Sequence, residues 1–213
     1  MIIDLDEVYK GGSVANNVTR VYKGGDLIFE RGVGPVLDPA TQALIDQAAI
    51  DGYTAASGAV LTALDTFIKQ LKADGIWALL DVIWLPATNG DSDFATYNLK
   101  DPTIFQLTKV NSPTFTSLEG FTGDGATSYL NTLFNLSTDS ANYVLNSASI
   151  GVYQRLNPAV TAATWGCRDA SNGTLSFYNR PSGNNFIEIN NSIGSGQVGG
   201  FSGITNLGLI CGS

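Results

Sequence analysis

The sequence predicts a mainly β protein: a small amino-terminal β-hairpin module, one or two helices, and then an antiparallel β-sandwich or jelly roll. Three observations predict it. Only 14% of the 213 residues are charged while 24 are glycine, and Ser, Thr and Asn are plentiful, a mix suited to short strands joined by tight turns. From Val82 onward, runs of four to eight residues bounded by Gly, Pro, Asn, Asp and Ser recur at roughly eight to twelve residue intervals. In front of them lies one amphipathic helical stripe. A hydrophobic share of 44% is enough for one sizeable core and a small appendage. The expected divisions are a hairpin docking module over 1–36, a helical connector over 37–80 and the sandwich over 81–213.

The module rests on VYKGG, which occurs at Val8–Gly12 and again at Val21–Gly25. Each copy reads as strand, turn, strand, because a Gly-Gly pair supplies the positive φ angles of a two-residue hairpin loop. A meander of up to four strands follows. So small a sheet needs a cover for its apolar face, Val21, Leu27 and Phe29, which marks it as an anchoring or oligomer-facing module.

Asp38 followed by Pro39 is a helix start, a side-chain cap and then a ring that needs no donor, so Ala40 to Ile50 should be helical. Gly52 loosens that helix. Val60, Leu61, Leu64, Ile68 and Leu71 then recur at three and four residue spacing, an amphipathic face that Gly75 ends or bends. Packing on the following sheet is the plain reading; a short oligomeric stalk is the sharper one, although the stripe is too short for a coiled coil.

The strand candidates are VIWLP, FATYN, TIFQLTKV, TSYLNT, SASIGVYQ, AATWGCR, TLSFYNR, NFIEIN and LGLIC. Polar Asn179, Glu188 and Asn190 alternate with apolar neighbours in two of them, as in sheets with one buried face.

Net charge is −8, so the surface repels phosphate backbones, and the eleven Lys and Arg form no patch; no nucleic acid partner is expected. No apolar run reaches the roughly twenty residues that cross a bilayer, and MIIDLDEVYK lacks the basic flank and apolar stretch of a secretion signal, so a soluble chain without membrane insertion is expected. Cys167 and Cys211 lack CxxC spacing and read as buried free thiols rather than a zinc or redox pair.

A helix ending at Asp74-Gly75, the apolar aromatic stretch that follows it, the Asn98–Pro102 turn (NLKDP) and the Gly123–Tyr129 segment (GDGATSY) come in that order. In this order they resemble the entry to the concanavalin A-like, laminin-G-like β-sandwich of many bacteriophage and prophage virion proteins. VTRVYKGGDLIFER is similar to amino-terminal segments of phage tail and fibre-type proteins. The likeness reaches Tyr153 and is only architectural beyond. It implies a non-catalytic virion structural protein, a head fibre, capsid decoration or tail appendage, that docks on the particle through its amino-terminal part and displays the sandwich. Its partners would be other virion proteins and copies of itself, with a trimer as the class expectation. It would be made in the host cytoplasm and sit on the particle surface. Residues 82–213 supply nine or ten strands where such sandwiches use roughly a dozen, so the fold is compact, or continues past Ser213, or has its open edge covered by a neighbouring subunit.

Each element also has its own physical reason. Trp77 and Trp84 offer large areas at a helix and sheet junction, and Lys100-Asp101-Pro102 favours a turn because proline presets φ while Asp bonds local backbone.

Catalytic chemistry is sparse. There is no histidine, which removes every mechanism that uses one as base, shuttle or ligand. A glycosidase needs two carboxylates at roughly 5 to 9 Å across a cleft, yet Glu188 is the only acid of the last strands. Gly194–Gly199 matches GxGxxG but lacks the following helix of a dinucleotide site and reads as a loop. Asn89, Asp91 and Asp93 offer oxygens at alternating spacing, with Asp91 and Asp93 as weak calcium candidates; turn chemistry is the stronger explanation, and no acid stands at the twelfth position. No cofactor is expected. Trp165, Arg168 and Tyr178, near Asn172, Asn184 and Asn185, have the chemistry of a sugar platform, so the alternative function is a receptor-binding lectin for host surface glycan; core burial of Trp165 is the plain alternative. A depolymerase would require a carboxylate pair in a groove.

Overall fold

The computed structural model describes residues 36–144 and 149–156, together with the strand backbones at 2–4, 20–23, 26–30, 162–169, 173–179, 185–191, 198–201 and 208–212. The chain divides into two compact units, Met1–Leu37 and Asp38–Ser213.

In the first unit, β1 (Ile2–Asp4), β2 (Arg20–Lys23) and β3 (Asp26–Glu30) form one sheet in that order. β2 and β3 pair antiparallel, with Lys23 opposite Asp26; Gly24 and Gly25 of the second VYKGG copy lie outside the described residues. β1 runs parallel to β2, so the sheet is not the meander expected. The first copy, at Val8–Gly12, lies outside the described residues.

The second unit starts with two helices, α1 (Pro39–Asp51) and α2 (Gly58–Ala73). Asp38 Oδ1 accepts from Ala40 N at 2.8 Å and Pro39 fills the first turn, where its missing N–H costs nothing. Gly52 does not loosen a continuing helix but ends it: its φ is 77°, and its N–H closes on Ala48 O. Gly75, at φ 73°, follows the end of α2 in the same conformation. Thr41, Leu44 and Ala48 form the buried face of α1, and Leu64, Asp65 and Ile68 that of α2. Buried Asp65 accepts from Asp38 N at 2.7 Å and pairs with Lys69 at 2.6 Å, while Lys72 reaches Asp38 at 2.5 Å. The bonds of Asp65 and Lys72 to Asp38 tie the start of α1 to the middle and end of α2.

The core is built on these helices. Leu44, Ala48, Leu64 and Ile68 pack with Phe94, Tyr97 and Leu99 from the segment that follows. Each fully buried aliphatic side chain contributes about 1.5 to 3 kcal/mol. Trp77, in a 3₁₀ turn over Trp77–Leu79, has Lys72 and Lys100 ammonium groups 5.1 and 5.6 Å from its ring. Lys100 also donates to the carbonyls of Trp77 and Leu80. Trp84 Nε1 donates to Phe105 O at 2.8 Å, and Asp101 accepts from Thr103 N at 2.9 Å inside the Lys100–Pro102 turn.

The expected concanavalin A-like β-sandwich is not seen, and the mainly β class is corrected: the described residues hold two helices and strands gathered in small sheets, with no large sandwich among them. VIWLP contributes one bridge, Trp84 to Asn98, and FATYN holds a 3₁₀ turn, Phe94–Thr96. Then β4 (Thr108–Val110) pairs with β7 (Tyr129–Asn131), and β5 (Thr114–Thr116) with β6 (Gly120–Thr122), each ladder three residues long. Further on, β8 (Ile150–Gln154) pairs with β13 (Gly208–Gly212). Among the described residues the largest sheet is antiparallel: β9 (Ala162–Asp169), β10 (Gly173–Asn179), β11 (Asn185–Asn191) and β12 (Val198–Phe201). Over 81–144 the physical reason lies in hydrogen bonds made both nearby and far along the chain, and in backbone conformation. Asp, Asn and Ser side chains capture backbone N–H groups that a ladder would need, and Phe105, Asn111, Ser112, Leu118 and Leu133 take positive φ angles that break a strand.

Candidate functional site

The segment Thr88–Leu99 lies on the turn between the two helices, and its residue types dictate how it is held. Asn89 faces Ser57 with both side-chain atoms: Oδ1 accepts from Ser57 N and Nδ2 donates to Ser57 O, each at 3.1 Å. Asp91 Oδ2 accepts from Thr54 N at 2.6 Å, and Asp91 N returns a bond to Thr54 O at 2.9 Å. Its other oxygen caps the following 3₁₀ turn through Asp93 N and Phe94 N at 3.0 and 2.8 Å. Between them, Gly90 is required by space: a Cβ there would lie 2.7 Å from Thr54 O and 2.8 Å from the Phe94 ring. Tyr97 is 1% exposed, packs against Tyr53 and Phe94, and donates its hydroxyl to Asp51 at 2.5 Å.

Ionisation follows these contacts. Burial opposes a charge on Asp91, but the N–H groups of Phe94, Thr54 and Asp93 outweigh it and hold the carboxyl below the usual range. Burial raises the Tyr97 hydroxyl well above its ordinary value, with the Asp51 carboxylate adding to it. Asp51 is lowered chiefly by that same hydroxyl and then by Gln47.

Beneath this segment is an apolar cleft of about 240 Å³ between α2 and residues 85–99. Leu44, Leu64, Phe94, Tyr97 and Leu99 form its buried floor, and Phe67 and Leu85, 38% and 39% exposed, stand at its rim. No charged side chain lines it, and the polar end of Tyr97 is turned to Asp51. Thr88 is the other polar residue of its lining, and the cleft offers mainly apolar contact.

A second anchor was not singled out from the sequence. Asp81 Oδ1 accepts from Ala141 N and Asn142 N at 2.9 and 2.8 Å, and Oδ2 from Tyr143 N at 2.9 Å. Its partners stand 60 residues and more away in sequence, so no local spacing could have revealed it. Burial works against its charge, and the three backbone donors together with the Asn142 amide still lower it. Asp124 does the same within its own loop, held below the usual range first by Ser128 N, then by Ala126 N and Thr127 N.

The calcium candidates are therefore engaged otherwise. Both Asp91 oxygens serve backbone donors, and Asp93 pairs with Lys109 at 2.8 Å. Among the described residues no group of three or more His, Cys, Asp or Glu gathers to hold a metal. Trp165 is half-buried on β9, opposite Phe177; Arg168 on the same strand pairs with Thr174, and Tyr178 on β10 with Ala163. Asn185 begins β11, while Asn172, Asn184 and the loop 194–197 lie outside the described residues. Glu188 is opposite Ser176. Cys167 and Cys211 belong to different sheets, on β9 and β13. Among the described residues no helix is long and apolar enough to cross a membrane. No family model, curated protein or solved structure matches this chain.

Proposed function

We propose that this chain is a non-catalytic structural protein of a bacteriophage or prophage virion, a head-fibre, decoration or tail-appendage component. It docks on the particle through residues 1–36, presents its remaining residues outward, and partners other virion proteins and further copies of itself. The observation that carries the reading is how Asp81 and Asp91 are used. Both Asp81 oxygens and one Asp91 oxygen take backbone N–H groups distant in the chain, and the other Asp91 oxygen caps its own turn, so these acids pin architecture instead of facing a cleft as reacting groups. The order of segments between Asp74 and Tyr129, and the start VTRVYKGGDLIFER, support the particle assignment.

The test is co-sedimentation. Particles from a producing culture are banded by density and probed with antibody against this chain. Signal in the particle band is expected, and signal confined to the soluble fraction overturns the proposal. A second reading, a glycan receptor site at Trp165, Arg168 and Tyr178, rests on Trp165 being only partly buried. Glycan-array binding abolished by Trp165→Ala would favour it, and no binding to any host polysaccharide would remove it.

A further inference from the structure

We infer that Asn89-Gly90 is a modification site at which spontaneous deamidation irreversibly releases the loop from the interhelical turn. Packing forces glycine at position 90, since a Cβ would sit 2.7 Å from Thr54 O and 3.1 Å from Ala56 N. That requirement leaves beside Asn89 a peptide nitrogen with no side chain to shield it, and Asn89 itself is exposed to water. The chemistry balances with solvent alone. Gly90 N loses its proton and attacks Asn89 Cγ, the Cγ–Nδ2 bond breaks, and ammonia leaves carrying that proton. Water then opens the resulting five-membered imide at one carbonyl or the other, giving aspartate or isoaspartate at position 89.

The same contacts that need the glycine restrain the reaction. Asn89 Oδ1 and Nδ2 are both bonded to Ser57, and Gly90 N–H donates to Thr88 Oγ1 at 3.1 Å, so attack requires the loop to lift first. Breaking these bonds before attack slows the reaction by about tenfold or more. The product does not re-latch. Aspartate has no N–H for Ser57 O and sets an anionic oxygen against that carbonyl. Isoaspartate adds a backbone methylene where Gly90 already has no space to move.

The test compares the full chain with a synthetic peptide of residues 87–93 in one mildly alkaline buffer, by peptide mapping with mass spectrometry. Asn89 in the folded chain should convert about tenfold or more slowly than in the peptide. Asp91→Ala, which removes the anchor on Thr54 N, should bring the rate towards that of the peptide; if that variant does not fold, sub-denaturing urea on the native chain replaces it. Asn89→Asp should show faster hydrogen exchange at Ser57 N. Conversion of the native chain at the peptide rate, a rate unmoved by loosening the loop, or unchanged exchange in Asn89→Asp would each overturn the inference.

Discussion

Asp81→Asn changes one atom of a carboxylate that holds three consecutive backbone N–H groups. Its oxygen can keep Ala141 N and Asn142 N, but the new amide nitrogen then meets Tyr143 N, a donor facing a donor where 2.9 Å of hydrogen bond stood before. One charge-assisted bond is lost and the remaining two weaken to neutral strength, a cost of about 2 kcal/mol for a partly buried group. In a chain of this size that corresponds to a fall in Tm of about 4 to 8 °C. Thermal unfolding by circular dichroism reads the first quantity, and hydrogen exchange at 141–143 localises it. The pH dependence has a fixed sign. The Asp81 carboxyl is lowered in the fold, so its contribution is whole above the unfolded value near pH ~4 and is lost as pH falls through the folded value. The gap between native and Asp81→Asn stability should therefore narrow in acid. A Tm within about 1 °C of native at neutral pH, well inside the shift expected for this size, with unchanged exchange at 141–143, would refute the idea that this carboxylate pins the loop.

Gly90→Ala forces a methyl into backbone and ring at 2.7 and 2.8 Å and should destabilise by about 1 to 3 kcal/mol, read by urea titration. Ile68→Ala empties a fully buried position in the helix-built core and should cost about 2 to 5 kcal/mol in the same assay. Tyr97→Phe removes the hydroxyl that most lowers Asp51, so the Asp51 carboxyl should titrate closer to its ordinary value in a carbon-detected NMR titration, with the core otherwise intact.

What the sequence determined by itself is local. Asp38 and Pro39 start a helix because a side-chain acceptor and a donor-free ring suit its first turn, and Leu64 and Ile68 lie on its successor's buried face because four residues return to the same side. Tertiary structure decided the rest. Apolar runs such as VIWLP and FATYN read as strands, yet their neighbouring Asp and Asn side chains take the N–H groups of remote backbone, and the core of the described residues closes on helices. Whether Asp91 is a cation ligand or a pin likewise depended on Thr54, 37 residues away, and Asp81 on a loop 60 residues away, because a carboxylate's role is set by the donors that folding brings to it and not by its neighbours in the chain.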